Sequence, residues 1–149
     1  MRISAKADYA VRAAIELARK DDGPTKGTAI AEAQAIPLKF LENILIDMRH
    51  AGLVRSQRGA EGGYWLARPA AEISVADVIR AVEGPLASVR GERPEDIAYP
   101  EGAATLQRAW IAVRTSLRNV AENVSLADLA SGKLPAAVEK LAADPENWS

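Results

Sequence analysis

Hydrophobic positions at the start of the chain follow a helical period. Val11, Ala14, Ile15 and Ala18 recur at i, i+3, i+4 and i+7. Ser4 stands where an N-cap is wanted and Asp21-Asp22-Gly23-Pro24 closes the run, so a helix is predicted over residues 4–20. Thr28 reads as the cap of a short second helix over 29–35, and after Ile36-Pro37 a third runs over 38–50 until Ala51-Gly52 ends it. In the third helix Leu41, Ile44, Leu45 and Met48 share one apolar face, while Lys39, Glu42, Asn43, Ile46, Arg49 and His50 fall on the other. From Leu53 the period changes to two. Leu53-Val54-Arg55-Ser56-Gln57 and Tyr64-Trp65-Leu66-Ala67, joined by a glycine-rich turn, predict a β-hairpin.

Beyond the hairpin, Ser74 and Asp77 are spaced like a capping box at the head of a helix reaching residue 82. Residues 84–102, with Pro85, Gly91, Pro94 and Pro100, read as a loop. A long helix is predicted over 103–123, then a short one over 126–130 capped by Ser125 and stopped by Gly132, with a turn or two after Pro135. On the long helix Leu106, Trp110, Val113, Leu117, Val120 and Val124 are spaced 4, 3, 4, 3 and 4, the pattern of a heptad seam. Such a stripe must be covered, either by folding back on its own domain or by a second copy of the chain. The expected architecture is mainly α with a small β-hairpin: a winged helix-turn-helix over 1–83, a loop over 84–102, and a dimerisation helix with a C-terminal tail over 103–149.

Composition narrows the chemistry. The 149 residues are 48% hydrophobic but only 5% aromatic, so the core is built of Ala, Leu, Val and Ile, which favours packed helices. Cysteine is absent, which removes disulfides, thiol nucleophiles, thiolate metal sites and cysteine-held iron–sulfur clusters. The one histidine, His50, cannot form a two-histidine metal site. Carboxylates are scattered, and no glycine pattern matches a phosphate-cradling loop, so the residues argue against an enzyme and imply no cofactor. The polar start and the lack of an apolar run of about 18 residues predict a soluble, cytoplasmic protein with no membrane partner. Net charge is −1, with 12 basic and 11 acidic residues up to Glu83 and 7 and 9 after it. A polyanion would therefore have to be met by a local patch on the first half.

Two stretches offer such a patch. On the outer face of the third helix Lys39, Glu42, Asn43 and Arg49 are side chains that match base edges and phosphates, and Ile46 among them is unusual for a solvated surface. A plain surface with a Lys39–Glu42 pair remains the alternative. In the hairpin turn Arg58 is followed by Gly59, Gly62 and Gly63, which let the backbone approach a neighbour closely and place a guanidinium at the tip, suited to a narrow minor groove. The alternative there is a flexible loop with a solvated arginine.

Short motifs in one order extend these readings. They are Met1-Arg2-Ile3-Ser4-Ala5-Lys6, Asp8-Tyr9-Ala10-Val11, Ile30-Ala31-Glu32, Ile36-Pro37, Phe40-Leu41-Glu42, Ala51-Gly52-Leu53-Val54, Arg58-Gly59, Gly62-Gly63-Tyr64, Asp77-Val78-Ile79, Glu83-Gly84 and Ser125-Leu126-Ala127-Asp128-Leu129. In this the chain resembles the Rrf2 family of winged-helix transcription regulators, to about Gly132. The resemblance implies a homodimeric repressor on a pseudo-palindromic operator, with the helix after Pro37 in the major groove and the wing in the minor groove. By position, Lys39, Glu42 and Asn43 would read bases, Arg58 would enter the minor groove and Arg2 would touch phosphate. Lys6, Thr28, Arg49, Gly59 and Tyr64 complete the implied DNA-contacting set. Many members hold a [2Fe–2S] cluster with cysteines in the loop that is here 86–102. This loop has none, so the chain looks like the cysteine-less branch typified by a repressor of cysteine metabolism that works with a biosynthetic enzyme. The partners implied are double-stranded DNA, a second copy, and a metabolic enzyme or small-molecule effector. A dimeric adaptor or sensor acting mainly through a protein partner is the alternative function.

Overall fold

The computed structural model describes residues 2–20 and 22–148. Helix α1 (Ala5–Arg19) starts at Ser4, whose hydroxyl accepts from the Ala7 amide at 3.0 Å. Ala7, Ala10, Ala13 and Ala14 are buried along it with Leu17. This small-residue face lets several elements approach its backbone at once. They are α2 (Gly27–Gln34), α3 (Leu38–His50), α4 (Val75–Glu83) and α6 (Leu126–Ser131). Ile30, Leu41, Ile44, Leu45, Met48, Val54, Ile73, Val78 and Leu126 close the core around it.

The turn between α2 and α3 is tight. Ala35 adopts φ 51°, and the Ile36 amide reaches back to the Ala31 carbonyl at 2.9 Å. An alanine in the left-handed region costs about 1 kcal/mol or more, offset here by burying Ile36. Helix α3 ends as predicted: Gly52 takes φ 77° and the Leu53 amide bonds to the Met48 carbonyl at 3.0 Å. The second helix departs from expectation. Its N-cap is Lys26, with no side-chain capping bond, and Thr28 lies inside the first turn, so Thr28 is not the cap.

Strands β1 (Val54–Gln57) and β2 (Gly63–Leu66) pair antiparallel, with Val54 opposite Leu66 and Gln57 opposite Gly63. A third, one-residue rung joins them, because Thr25 and Tyr64 exchange both backbone hydrogen bonds at 2.8 and 2.9 Å. Sequence pattern could not show a rung of one residue. Two capping boxes, Ser74 with Asp77 and Ser125 with Asp128, open α4 and α6. The same two serines pair across a backbone bridge, which draws α6 back onto the core.

The segment between α4 and the long helix α5 (Ala104–Ala121) is irregular but folded. It carries 3₁₀ turns at Pro94–Asp96 and Glu101–Ala103, and Gln107 on α5 donates to the Pro94, Glu95 and Ile97 carbonyls at 3.2, 3.1 and 2.9 Å. No residue of α5 is buried; Leu106, Trp110 and Leu117 lie exposed on one side, with Val113 and Val120 half-buried beside them. Val124 departs from the predicted seam. It lies beyond the end of α5, is 4% exposed, and its carbonyl accepts from the Val75 amide at 2.9 Å. The heptad register runs past the end of the helix that would carry it, so Val124 is part of the core. Helix α7 (Ala136–Ala143) follows, with a terminal 3₁₀ turn at Pro145–Trp148. Among the described residues no helix is long and apolar enough to cross a membrane.

Candidate nucleic-acid interface

Helix α3 presents its two faces as the pattern predicts. Leu41, Ile44, Leu45 and Met48 are buried, and Lys39, Glu42, Asn43, Arg49 and His50 are exposed with Ile46 among them. Thirteen residues amount to about 20 Å of helix at 1.5 Å per residue, and the major groove of B-DNA admits an α-helix. One edge of the exposed face is tied to the hairpin, where Arg49 donates to the Ser56 hydroxyl at 3.2 Å. The other is tied to α1, where Lys6 Nζ lies 2.8 Å from Asp47 Oδ2. Both contacts are half-exposed and worth little to stability, but they set where the helix ends up relative to its neighbours.

The wing is held more tightly than a flexible turn. A Cβ on Gly62 would meet the Gln57 carbonyl oxygen at 2.0 Å, and one on Gly63, at φ 151°, would meet the Thr25 carbonyl oxygen at 2.6 Å. These two glycines are required by close backbone approach. Gly59, at φ 101°, has open space around it and is required by conformation alone. Its carbonyl accepts from Lys26 Nζ at 2.7 Å, which pins the wing to the start of α2. Lys26 is the residue the sequence reading missed; a contact spanning 33 positions leaves no local signal.

Arg58 is exposed at the wing, Arg2 is exposed ahead of α1, and Lys6 is exposed in the first turn of α1 beside α3. Thr28 is exposed in the first turn of α2. Tyr64 differs from the rest: it is half-buried, and its ring edge stands 3.5 Å from where a Gly27 Cβ would sit, so much of it serves to seat the hairpin on α2. The predicted DNA-contacting residues thus lie on α3, the wing and the start of α1 and α2, whereas the apolar stripe of α5 belongs to a separate element.

Comparison with known proteins places this geometry. A family model described as Rrf2, iron-dependent transcriptional regulator, matches residues 3–132. A Mycobacterium tuberculosis protein, provisionally named an HTH-type transcriptional regulator, is 51% identical over 145 residues, covering 97% of this chain and 90% of the relative. The HTH-type transcriptional regulator CymR of Bacillus subtilis is 38% identical over 132 residues, 88% of this chain and 91% of CymR. The solved structure of CymR, described as the global cysteine regulator of B. subtilis, superposes with a TM-score of 0.75 at 34% identity over 90% of this chain and 99% of that one. An IscR structure from T. potens gives 0.72 at 31% identity, covering all of this chain and 97% of that one.

The iron in the family description finds no fitting residues here. The segment 86–102 has no cysteine, His50 is the chain's one histidine, and among the described residues no three His, Asp or Glu side chains converge as ligands.

Proposed function

The chain belongs to the Rrf2 family of transcriptional regulators, and we propose that it acts as a sequence-specific DNA-binding repressor, as a homodimer on a pseudo-palindromic operator, without an iron–sulfur cluster. The observation that carries this reading is the outer face of α3. Lys39, Glu42, Asn43 and Arg49 stand exposed over a fully buried opposite face, with the pinned Arg58 wing alongside. In the major groove Glu42 accepts from cytosine, Asn43 suits adenine, and Lys39 and Arg49 meet guanine or phosphate, while Arg58 enters the minor groove. Arg2, Lys6 and Thr28 meet the backbone and fix register. Leu106, Trp110, Val113, Leu117 and Val120 form the dimer seam, and two-fold symmetry sets the reading helices about 34 Å apart. That CymR is described as a global cysteine regulator supports placing the regulated genes in sulfur or cysteine metabolism.

The test is selection of bound sequences from a random duplex pool, followed by two variants across a salt series. Glu42→Ala relaxes preference at one or two base pairs per half-site, losing about 1–3 kcal/mol of discrimination with the salt slope nearly unchanged. Arg58→Ala lowers affinity and reduces the slope of log K on log salt by up to about one per subunit. A pool yielding no palindrome refutes the reading. Base preference unchanged in the first variant together with salt slope unchanged in the second refutes the docking.

A further inference from the structure

Ile46 is the side chain of α3 for which the fold has no use. At about 100° per residue it stands about 160° round the helix from both Ile44 and Met48, so it lies near the middle of the outward face. It is 41% exposed, and it belongs neither to the buried core nor to the partly buried side chains packed against that core. Its surface neighbours at i±3 and i±4 are Glu42, Asn43, Arg49 and His50, all of them polar and exposed. A β-branched side chain on a helix surface gives up rotamer freedom, and here no core packing offsets that loss. From this we infer that Ile46 is a specificity-determining residue that reads the C5-methyl group of a thymine in the major groove. The inference rests on the DNA-binding reading above and adds an apolar contact to its polar ones.

The surroundings of Ile46 fit a methyl group better than a protein partner. Docking surfaces are continuous apolar patches of several hundred Å², whereas one isoleucine ringed by a carboxylate, an amide, a guanidinium and an imidazole offers a single apolar spot. Leu38 and Phe40 are also exposed on α3. They stand about 80° and 120° round the helix from Ile46 and about 12 and 9 Å nearer its start, outside that ring. In the floor of the major groove the base edges carry hydrogen-bonding groups, and the thymine methyl is the apolar feature among them. An apolar side chain between hydrogen-bonding ones therefore matches a thymine set among other bases.

The flank of the helix agrees with this placement. Arg49, one turn beyond Ile46 toward the hairpin, donates to the Ser56 hydroxyl at 3.2 Å. That partner is neutral, so the guanidinium keeps its charge for a phosphate at the groove wall while Ile46 faces the floor. Along the axis Ile46 lies four residues beyond Glu42, about 6 Å, which is about two base pairs at 3.4 Å each. The thymine is thus placed within about two pairs of the base that Glu42 reads.

The experiment uses the full chain and the duplex selected from the random pool. Each thymine of a half-site is replaced in turn by uracil, which removes the methyl group and keeps the pairing edge. Wild type should bind about fourfold more weakly per half-site when one thymine near the Glu42 base pair loses its methyl, the worth of one buried methyl group. Ile46→Ala should bind the thymine and uracil duplexes alike, Ile46→Val should keep part of the difference, and Glu42→Ala should keep all of it. Neither Ile46 variant changes a charge, so the slope of log K on log salt should stay at the wild-type value. Thermal melts followed by circular dichroism check the fold, and should Ile46→Ala melt early, Ile46→Val carries the comparison.

A thymine whose methyl still matters in Ile46→Ala overturns the assignment. So does an Ile46→Ala protein with unchanged duplex affinity and a weakened dimer in sedimentation, which would make the spot a protein contact. A protein that selects no duplex refutes the regulator reading itself. One that selects a duplex with Glu42-dependent preference but shows no methyl-sensitive thymine refutes the role of Ile46 alone.

Discussion

Gly62→Ala tests whether the wing is a built element or a passive loop. An alanine Cβ there would stand 2.0 Å from the Gln57 carbonyl oxygen, 2.7 Å from the Gln57 carbonyl carbon and 2.8 Å from the Arg58 carbonyl carbon. All three are backbone atoms, so no flexible side chain can swing aside and the wing itself must move by about an ångström. Overpacking of this kind costs about 1–3 kcal/mol. For a chain of this size each kcal/mol lowers Tm by about 2–4 °C, so a drop of several degrees is expected if the wing unfolds with the core. Should the wing open by itself, the Tyr64 amide, which bonds to the Thr25 carbonyl at 2.8 Å, exchanges with solvent faster while Tm holds. In both cases Arg58 is displaced and operator affinity falls about tenfold, the worth of one good contact. Gly59→Ala is the control: its Cβ meets nothing within 4 Å, and only the φ of 101° penalises it. Calorimetry, hydrogen exchange and a binding titration on both variants decide the matter. A Gly62→Ala protein with Tm within about 1 °C of wild type and unaltered Tyr64 exchange would refute the close-approach argument.

Three other outcomes follow from the same geometry. Leu117→Lys puts a charge into the stripe of α5, where burial without a partner costs several kcal/mol, so light scattering should find monomer and operator affinity should fall with it; a mutant that stays dimeric locates the interface elsewhere. The Arg114 guanidinium, helped by Arg93, holds the Glu95 carboxyl at about 2 instead of its ordinary 4.5. A lowered acid contributes stability that is fully present above pH 4.5 and is lost as pH falls toward 2, so acidification through that window should loosen the segment before α5 in wild type and less so in Glu95→Gln, followed by hydrogen exchange at the Ile97 amide. Purified protein should show no cluster absorption and bind its duplex equally after iron chelation, because the sequence offers no thiolate; binding that depends on iron would overturn this.

Much of the winged-helix part of the chain is legible in the sequence because its signals are local. The two faces of α3 follow from a period of 3.6 over thirteen residues, the hairpin from a change of period at Leu53, and the helix ends from Ser4, Gly52, Ser74 and Ser125, each of which acts within four positions of itself. Where the local signal was ambiguous, the chain chose otherwise. Thr28 is as good a cap by type as any, yet the rung between Thr25 and Tyr64 fixes the backbone so that α2 begins at Gly27. Val124 keeps the heptad spacing, yet α5 stops at Ala121 and the bridge between Ser74 and Ser125 turns Val124 inward.

What the sequence determined by itself is the list of elements, the buried and exposed faces of α3, and the exclusion of thiolate chemistry, since each depends on residue type and short-range period. Only the tertiary structure decided the rest: Lys26 reaching the wing across 33 positions, Gly63 pressed against the Thr25 backbone, and arginines from positions 80 to 118 gathered around one cavity. These contacts join residues whose separation along the chain carries no period, and they form because burying the alanine face of α1 brings α2, α3, α4 and α6 against a single helix, which fixes where everything attached to them must lie.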